Sequence, residues 1–216
     1  MTILKKQQTR LMLVGENVSG VALTELAIIF PIFLFMILGL LELSNYAIQR
    51  QRLSQAALQI ADNAGRLGES GFGGSKRISE KQITDTLLGG ITQADKLDLK
   101  RNGRIILSSL ETNADGGQWL HWQRCYGELI AVSSYGREGD GKAGTAFVGM
   151  GPVNSRIFAG VAQPVMFVEL AYKLKPIAIP YLIPKQAIIE TASMPVRAER
   201  NLTSVSSDTD GKPSTC

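Results

Sequence analysis

Few residues in this chain have the type and spacing to do chemistry. Glu25 stands in the first turn of a long apolar stretch, where an ionised group costs of the order of 2–3 kcal/mol at mid-membrane and less near an interface, so it invites a functional explanation. His121, the only histidine, lies four residues before Cys125. In the strand this segment resembles, that spacing puts both on one face roughly 13 Å apart, too far for a thiol and its base, so His121 reads as a surface or partly buried side chain. Gly136-Arg-Glu-Gly-Asp-Gly141-Lys142-Ala143 follows a plausible strand, LIAVSSY, and approaches a phosphate-binding loop. Ala143 occupies the place of the magnesium-holding Ser or Thr, and GTAFVGMGP cannot be the receiving helix, so the segment reads as a flexible loop and no nucleotide is expected. Two cysteines and one histidine do not make a zinc site. With no carboxylate pair or nucleophile elbow either, the expectation is no catalytic residue, no metal, no cofactor and no enzyme.

The elements that hold these residues are uneven in character. Across the 216 residues, 44% are hydrophobic and 19% charged, yet LAIIFPIFLFMILGLL from Leu26 to Leu41 carries no polar side chain. Extended to Val21 and Leu43, the run is a helix of roughly 35 Å, long enough to cross a bilayer. A secretory signal would be shorter and followed by small residues; here Glu42 and Leu43 follow, so removal of the apolar run is not expected. Lys5, Lys6 and Arg10 against Glu16 on one side, and Arg50 and Arg52 on the other, favour a cytoplasmic amino terminus by a small margin. The net charge of +4 is scattered, with no basic run interleaved with aromatics, so nucleic acid is not an expected partner.

Gly20 followed by VALTE sets a glycine just before the apolar helix and Glu25 at the fifth position after it. This resembles the processing site of type IV pilin-like precursors. The wider pattern Glu25, Pro31, Gly39 and Glu42 in TELAIIFPIFLFMILGLLEL is similar to the TadE-like minor pseudopilins of the tight-adherence (Flp) pilus. The resemblance implies cleavage after Gly20 by a prepilin peptidase on the cytoplasmic side of the inner membrane. It makes Val21 the new amino terminus and gives Glu25 the pairing with a neighbouring subunit's terminal ammonium, each ion lowering the other's burial cost. The implied partners are the membrane, the peptidase, other pilin and pseudopilin subunits and the pilus assembly platform. Glu25-Leu26 in place of the Glu-Tyr of major pilins, and the long chain after the helix, point to the larger minor class. The alternative is an uncleaved signal anchor carrying an extracytoplasmic binding module that joins no filament.

The expected organisation is a leader over 1–20, a transmembrane and continuing amphipathic helix over 21–67, a glycine-rich linker over 68–78, an extracytoplasmic α+β module over 79–203 and a polar tail over 204–216. Beyond the membrane, Leu53, Ala57, Ile60, Ala64 and Leu67 repeat at helical spacing, a stripe for either the protein's own sheet or a seam between subunits. Ser79-Glu80-Lys81-Gln82 reads as a capping box opening a short helix that Gly89-Gly90 ends after Leu88. Strands are expected over 104–110, 118–126, 127–135, 165–174 and 188–196, forming a mainly antiparallel sheet, with Pro176, Pro180 and Pro184 in a loop between the last two. Trp122 to Gly127, and FVELAYKLKP with IIETASMPVRAER, are also similar to segments of TadE-like chains. In an exported module Cys125 and Cys216 are expected to be paired rather than free, closing a loop of about 90 residues with roughly 4–5 kcal/mol of chain-entropy stabilisation and pinning the tail.

Overall fold

Ser19–Gly65 forms one continuous helix, α1, of 47 residues in the computed structural model, which describes residues 19–68, 77–94, 97–182, 186–197, 201, 205–206 and 214–216. Pro31 lies inside it and leaves the Ala27 carbonyl without its helical donor. The described residues up to Asn45, with Pro176–Leu182, make one compact unit; those from Tyr46 to Lys175 and the carboxy-terminal segments make the other.

In the first unit the helix is apolar on every side and almost wholly exposed, from Val21 at 55% to Leu43 at 63%. Such a helix is at home in lipid, not in water.

The second unit is α+β, as expected. Helix α2 (Glu80–Gln93) and a one-turn helix α3 (Leu99–Asn102) precede strand β1 (Gly103–Thr112), followed by β2 (Gln118–Tyr126), β3 (Val165–Tyr172) and β4 (Ile188–Pro195). The sheet has the order β2-β1-β3-β4, antiparallel throughout. Alternation along the strands sends Ile105, Leu107, Met166, Val168, Leu170 and Tyr172 to one face. There they meet Leu53, Ala56, Ala57, Ile60, Ala61 and Ala64 of α1, all buried, and Ile83 and Leu87 of α2. The small-residue stripe of α1 therefore lies under the protein's own sheet. The opposite face, with Leu110, Leu120, Val165 and Phe167, is covered by loop residues Met150 and Ala159.

The capping box forms as read: Ser79 Oγ accepts from the Gln82 N–H at 3.3 Å and Gln82 Oε1 accepts from the Ser79 N–H at 3.1 Å. The helix nevertheless continues through Gly89-Gly90 to Gln93. Gly90 marks close packing, not termination, because a Cβ there would collide with Ile60 Cγ1 and lie 2.6 Å from Ile60 Cδ1, whereas Gly89 faces open space.

The strand expected over 127–135 does not form. Gly127, at φ +110°, turns the chain so close to the Gly103 carbonyl that no Cβ would fit. The Glu128 and Leu129 N–H groups then bond to Lys100 O and Gly103 O at 2.8 and 3.2 Å, and Ile130 and Val132 emerge 98% and 73% exposed. Their β-branched character carried the strand reading, but they have no sheet to lie on.

The leader up to Val18 and linker residues 69–76 lie outside the described residues. Described parts of the tail are tied down by backbone bonds: Ser206 N–H to Ile78 O at 2.8 Å, Glu80 N–H to Ser206 O at 3.1 Å and Cys125 N–H to Ser214 O at 2.7 Å.

The two glycines yield a paired prediction. Gly89→Ala should raise thermal stability by up to about 1 kcal/mol through helix propensity. Gly90→Ala should lower it, because overpacking against Ile60 costs roughly 1–3 kcal/mol, and Ile60→Val should restore part of the loss. Thermal unfolding of the detergent-solubilised chain measures all three; equal effects at both glycines would refute the packing role.

Candidate functional site

The exposed head of α1 holds the three residues singled out from the sequence. Gly20, Val21 and Glu25 are all exposed and helical, and a Cβ at Gly20 would meet nothing within 4 Å. Thr24 folds back to donate to the Val21 carbonyl at 2.8 Å, leaving Glu25 as the ionisable side chain of this turn. Among the described residues Glu25 has no hydrogen-bond or ion-pair partner. Its neighbours Leu26, Ile28 and Ile29 are 58%, 68% and 59% exposed, so the carboxylate stands in an apolar field.

At the other end of the apolar run the second acid is treated oppositely. Glu42 is 1% exposed, and its carboxylate accepts from three consecutive backbone N–H groups. Oε2 receives Ile177 at 3.0 Å, Ala178 at 2.8 Å and Ile179 at 3.2 Å, and Oε1 also lies 3.2 Å from the Ile177 N–H. Glu42 belongs to the pattern read from the sequence, but its role as an anchor for a loop over a hundred positions away was not legible there.

In the sheet unit the residues considered for chemistry take other parts. Cys125 and Cys216 form a disulfide with Cα atoms 5.0 Å apart, so Cys125 is not a thiol. His121 is the extra residue of a β-bulge where Ser109 pairs with Trp122 and Leu110 with Leu120. Its ring stacks on Trp119, centroids 4.0 Å apart, with Nδ1 2.9 Å from Glu111 Oε2. In the glycine loop, the N–H groups of Gly139, Asp140 and Lys142 bond to Leu120 O, Arg137 O and Gly139 O, leaving none of the three for a phosphate, and no helix follows. Among the described residues no group of His, Cys, Asp or Glu could hold a metal ion.

The sheet unit also holds two buried polar centres. Arg124 Nε and Nη2 reach Glu80 at 2.9 and 2.5 Å while Nη1 reaches Glu138 at 3.0 Å, and the Glu80 hydrogen bonds hold the guanidinium above its usual pKa. Glu169 on β3, 2% exposed, accepts from Ser133 Oγ and, at 2.8 Å, from the Ser134 N–H. Burial raises its carboxyl above the usual range, partly offset by those two bonds. The signal was available in VMFVELAY, where alternation puts one acid on a face shared with Phe167. A cavity of about 560 Å³ opens nearby, lined by Ser133, Glu138, Gln123, Ile106 and the disulfide.

Residues 20–62 match the family model described as TadE-like protein. The matched stretch contains Gly20, Glu25, Pro31, Gly39 and Glu42 and lies within α1, so this part of the helix is similar to the TadE-like family. No curated protein and no solved structure matches the chain. Among the described residues α1 is the one helix long and apolar enough to cross a membrane. Its length and apolar surface suggest a membrane anchor, and the TadE-like match suggests association with a Tad pilus.

Glu169 supplies a pH test. Its folded pKa lies above the unfolded carboxyl value of about 4.3, so the native state holds the proton more tightly. The stabilisation from that proton is complete below the unfolded pKa and is lost as pH rises through the folded one. Gln can accept from the Ser134 N–H and donate to Ser133 Oγ, so Glu169→Gln minus wild type should become more favourable in thermal stability from about pH 4 to about pH 7. A flat or falling difference would refute the assignment.

Proposed function

We propose that this chain is a minor pseudopilin of a tight-adherence (Flp-type) pilus. It is inserted once in the inner membrane with its sheet module on the extracytoplasmic side, and cut after Gly20 by a prepilin peptidase. The observation carrying this reading is Glu25: an exposed carboxylate without a partner among the described residues, on an all-round apolar helix inside the TadE-like match. An uncompensated carboxylate at a membrane edge is costly, and a new ammonium at Val21 of a neighbouring chain would lower that cost when helices pack. The helical setting of Gly20 suits cleavage, since glycine is the residue whose helical turn opens most readily after proline.

In this reading the protein works by packing and is not an enzyme. Its partners are the peptidase, other pilin and pseudopilin subunits and the assembly platform, and it needs no cofactor. The cavity beside Cys216 favours a second reading, an uncleaved anchor whose module binds a ligand and joins no filament.

Intact-mass spectrometry of the membrane form separates the two. The expected species begins at Val21 and is absent from cells lacking the prepilin peptidase. Glu25→Ala should leave the chain in the membrane but remove it from the sheared filament fraction. A chain retaining Met1 in cells with active peptidase would overturn the processing.

A further inference from the structure

The loop Pro176–Leu182 lies between β3 and β4 yet belongs to the compact unit of the apolar helix. Its sequence, PIAIPYL, contains no charged side chain. The N–H groups of Ile177, Ala178 and Ile179 converge on the Glu42 carboxylate, and the Leu182 N–H donates to Ile179 O at 3.1 Å to close a 3-10 turn. Leu182 lies over Gly39, where a Cβ would meet its Cδ1 at 3.7 Å, an ordinary contact. The loop is thereby seated on the helical turn from Gly39 to Glu42.

That turn has a defined depth. From Val21 to Leu41 an α-helix rises roughly 30 Å, the thickness of the hydrocarbon core of a bilayer. A loop fastened to Gly39 and Glu42 therefore sits where α1 leaves the hydrocarbon. The Glu42 carboxylate and three loop N–H groups satisfy one another, so they need no water there. What remains turned outward is apolar or amphipathic: Ile177 is 70% exposed, Tyr181 89% and Leu182 52%.

We infer that Pro176–Leu182 is an interfacial membrane anchor, placing Ile177, Tyr181 and Leu182 in the headgroup–acyl boundary of the leaflet from which α1 emerges. Continuity with the membrane span decides for lipid over a second copy of the chain, because the loop's own seat is the last apolar turn of that span. Tyrosine belongs at this depth, with its ring against acyl chain and its hydroxyl at the headgroups. The inference rests on α1 as a span and is independent of cleavage at Gly20 or entry into a filament.

The test uses the full chain with Tyr181→Trp in vesicles of phosphatidylethanolamine and phosphatidylglycerol whose acyl chains carry bromine either near the headgroup or near the methyl end. Emission of the unsubstituted chain, from Trp119 and Trp122, is subtracted. The added emission should be blue-shifted and lose more intensity to shallow bromines than to deep ones. Leu34→Trp, measured separately, should be quenched best by deep bromines and so reports the span itself. Water-like, unquenched emission at position 181 with normal quenching at position 34 overturns the anchor alone; loss of quenching at both overturns anchor and span together. Blue-shifted, unquenched emission that reddens on dilution into protein-poor vesicles assigns the face to a second copy and also overturns the anchor. In the Tyr181→Trp chain, Glu42→Gln should spread the quenching over depth; an unchanged depth profile would refute the tether.

Discussion

The close seam between α1 and the sheet is the contact on which the second unit depends. Ala56, Ala57, Ala61 and Ala64 surround Leu53 and Ile60, so the helix presents a shallow, small-residue stripe that can approach a flat face of Val, Leu, Ile and Met. The approach is tight enough to be felt by its neighbours. Ile60 occupies the space at Gly90 of α2, and Gly65 sits with a Cβ position 3.0 Å from Pro195 O at the end of β4. Arg50 with Glu190 at 2.7 Å, and Asp62 with Arg197 at 2.7 Å, lie along the rim of this seam, where exposed pairs set register more than they add stability.

One part of α1 is exposed and apolar while the other is packed under the sheet, and the two acids of the apolar part, Glu25 and Glu42, are treated differently. Glu42 is internalised: three backbone donors replace water, so the carboxylate can lie at the edge of hydrocarbon. Glu25 has no such arrangement among the described residues. If both acids were merely tolerated at interfaces, both would be expected to reach toward water, as long side chains at helix ends do. The asymmetry separates a group satisfied within the fold from one with no partner among the described residues.

Much of this was legible in the residues, for reasons that also explain what was not. The apolar run, the capping box at Ser79 and the strands at β1, β2, β3 and β4 are local periodicities, and local periodicity is what sequence displays. The false strand over 127–135 has the same composition as a true one; what denies it a place is Gly127 meeting the Gly103 carbonyl, a contact between distant segments. Gly89-Gly90 read as a stop for the same reason, since only the position of Ile60 shows that one glycine is there for packing. The Glu42 clamp and the Arg124 pairs join residues tens to more than a hundred positions apart. Glu25 differs from these: its significance lay in being out of place locally, which is visible without any fold.

A sheet with helices on one face has to cover the other, and here a long connection between β2 and β3 does so without regular structure. Such a segment is held only if its backbone groups find partners. Asn113 donates to Gly141 O and Gly144 O at 2.8 and 2.7 Å and accepts from the N–H groups of Asp115 and Gly117, while Glu169 holds Ser133 and Ser134. The disulfide adds a covalent tie across a sequence separation of 91, so the last residues of the chain border the same face. Between these ties, Val153, Phe158 and Val161 stand 80%, 60% and 88% exposed. The irregular cover and the helix seam thus lie on opposite faces of one sheet, each held by its own contacts.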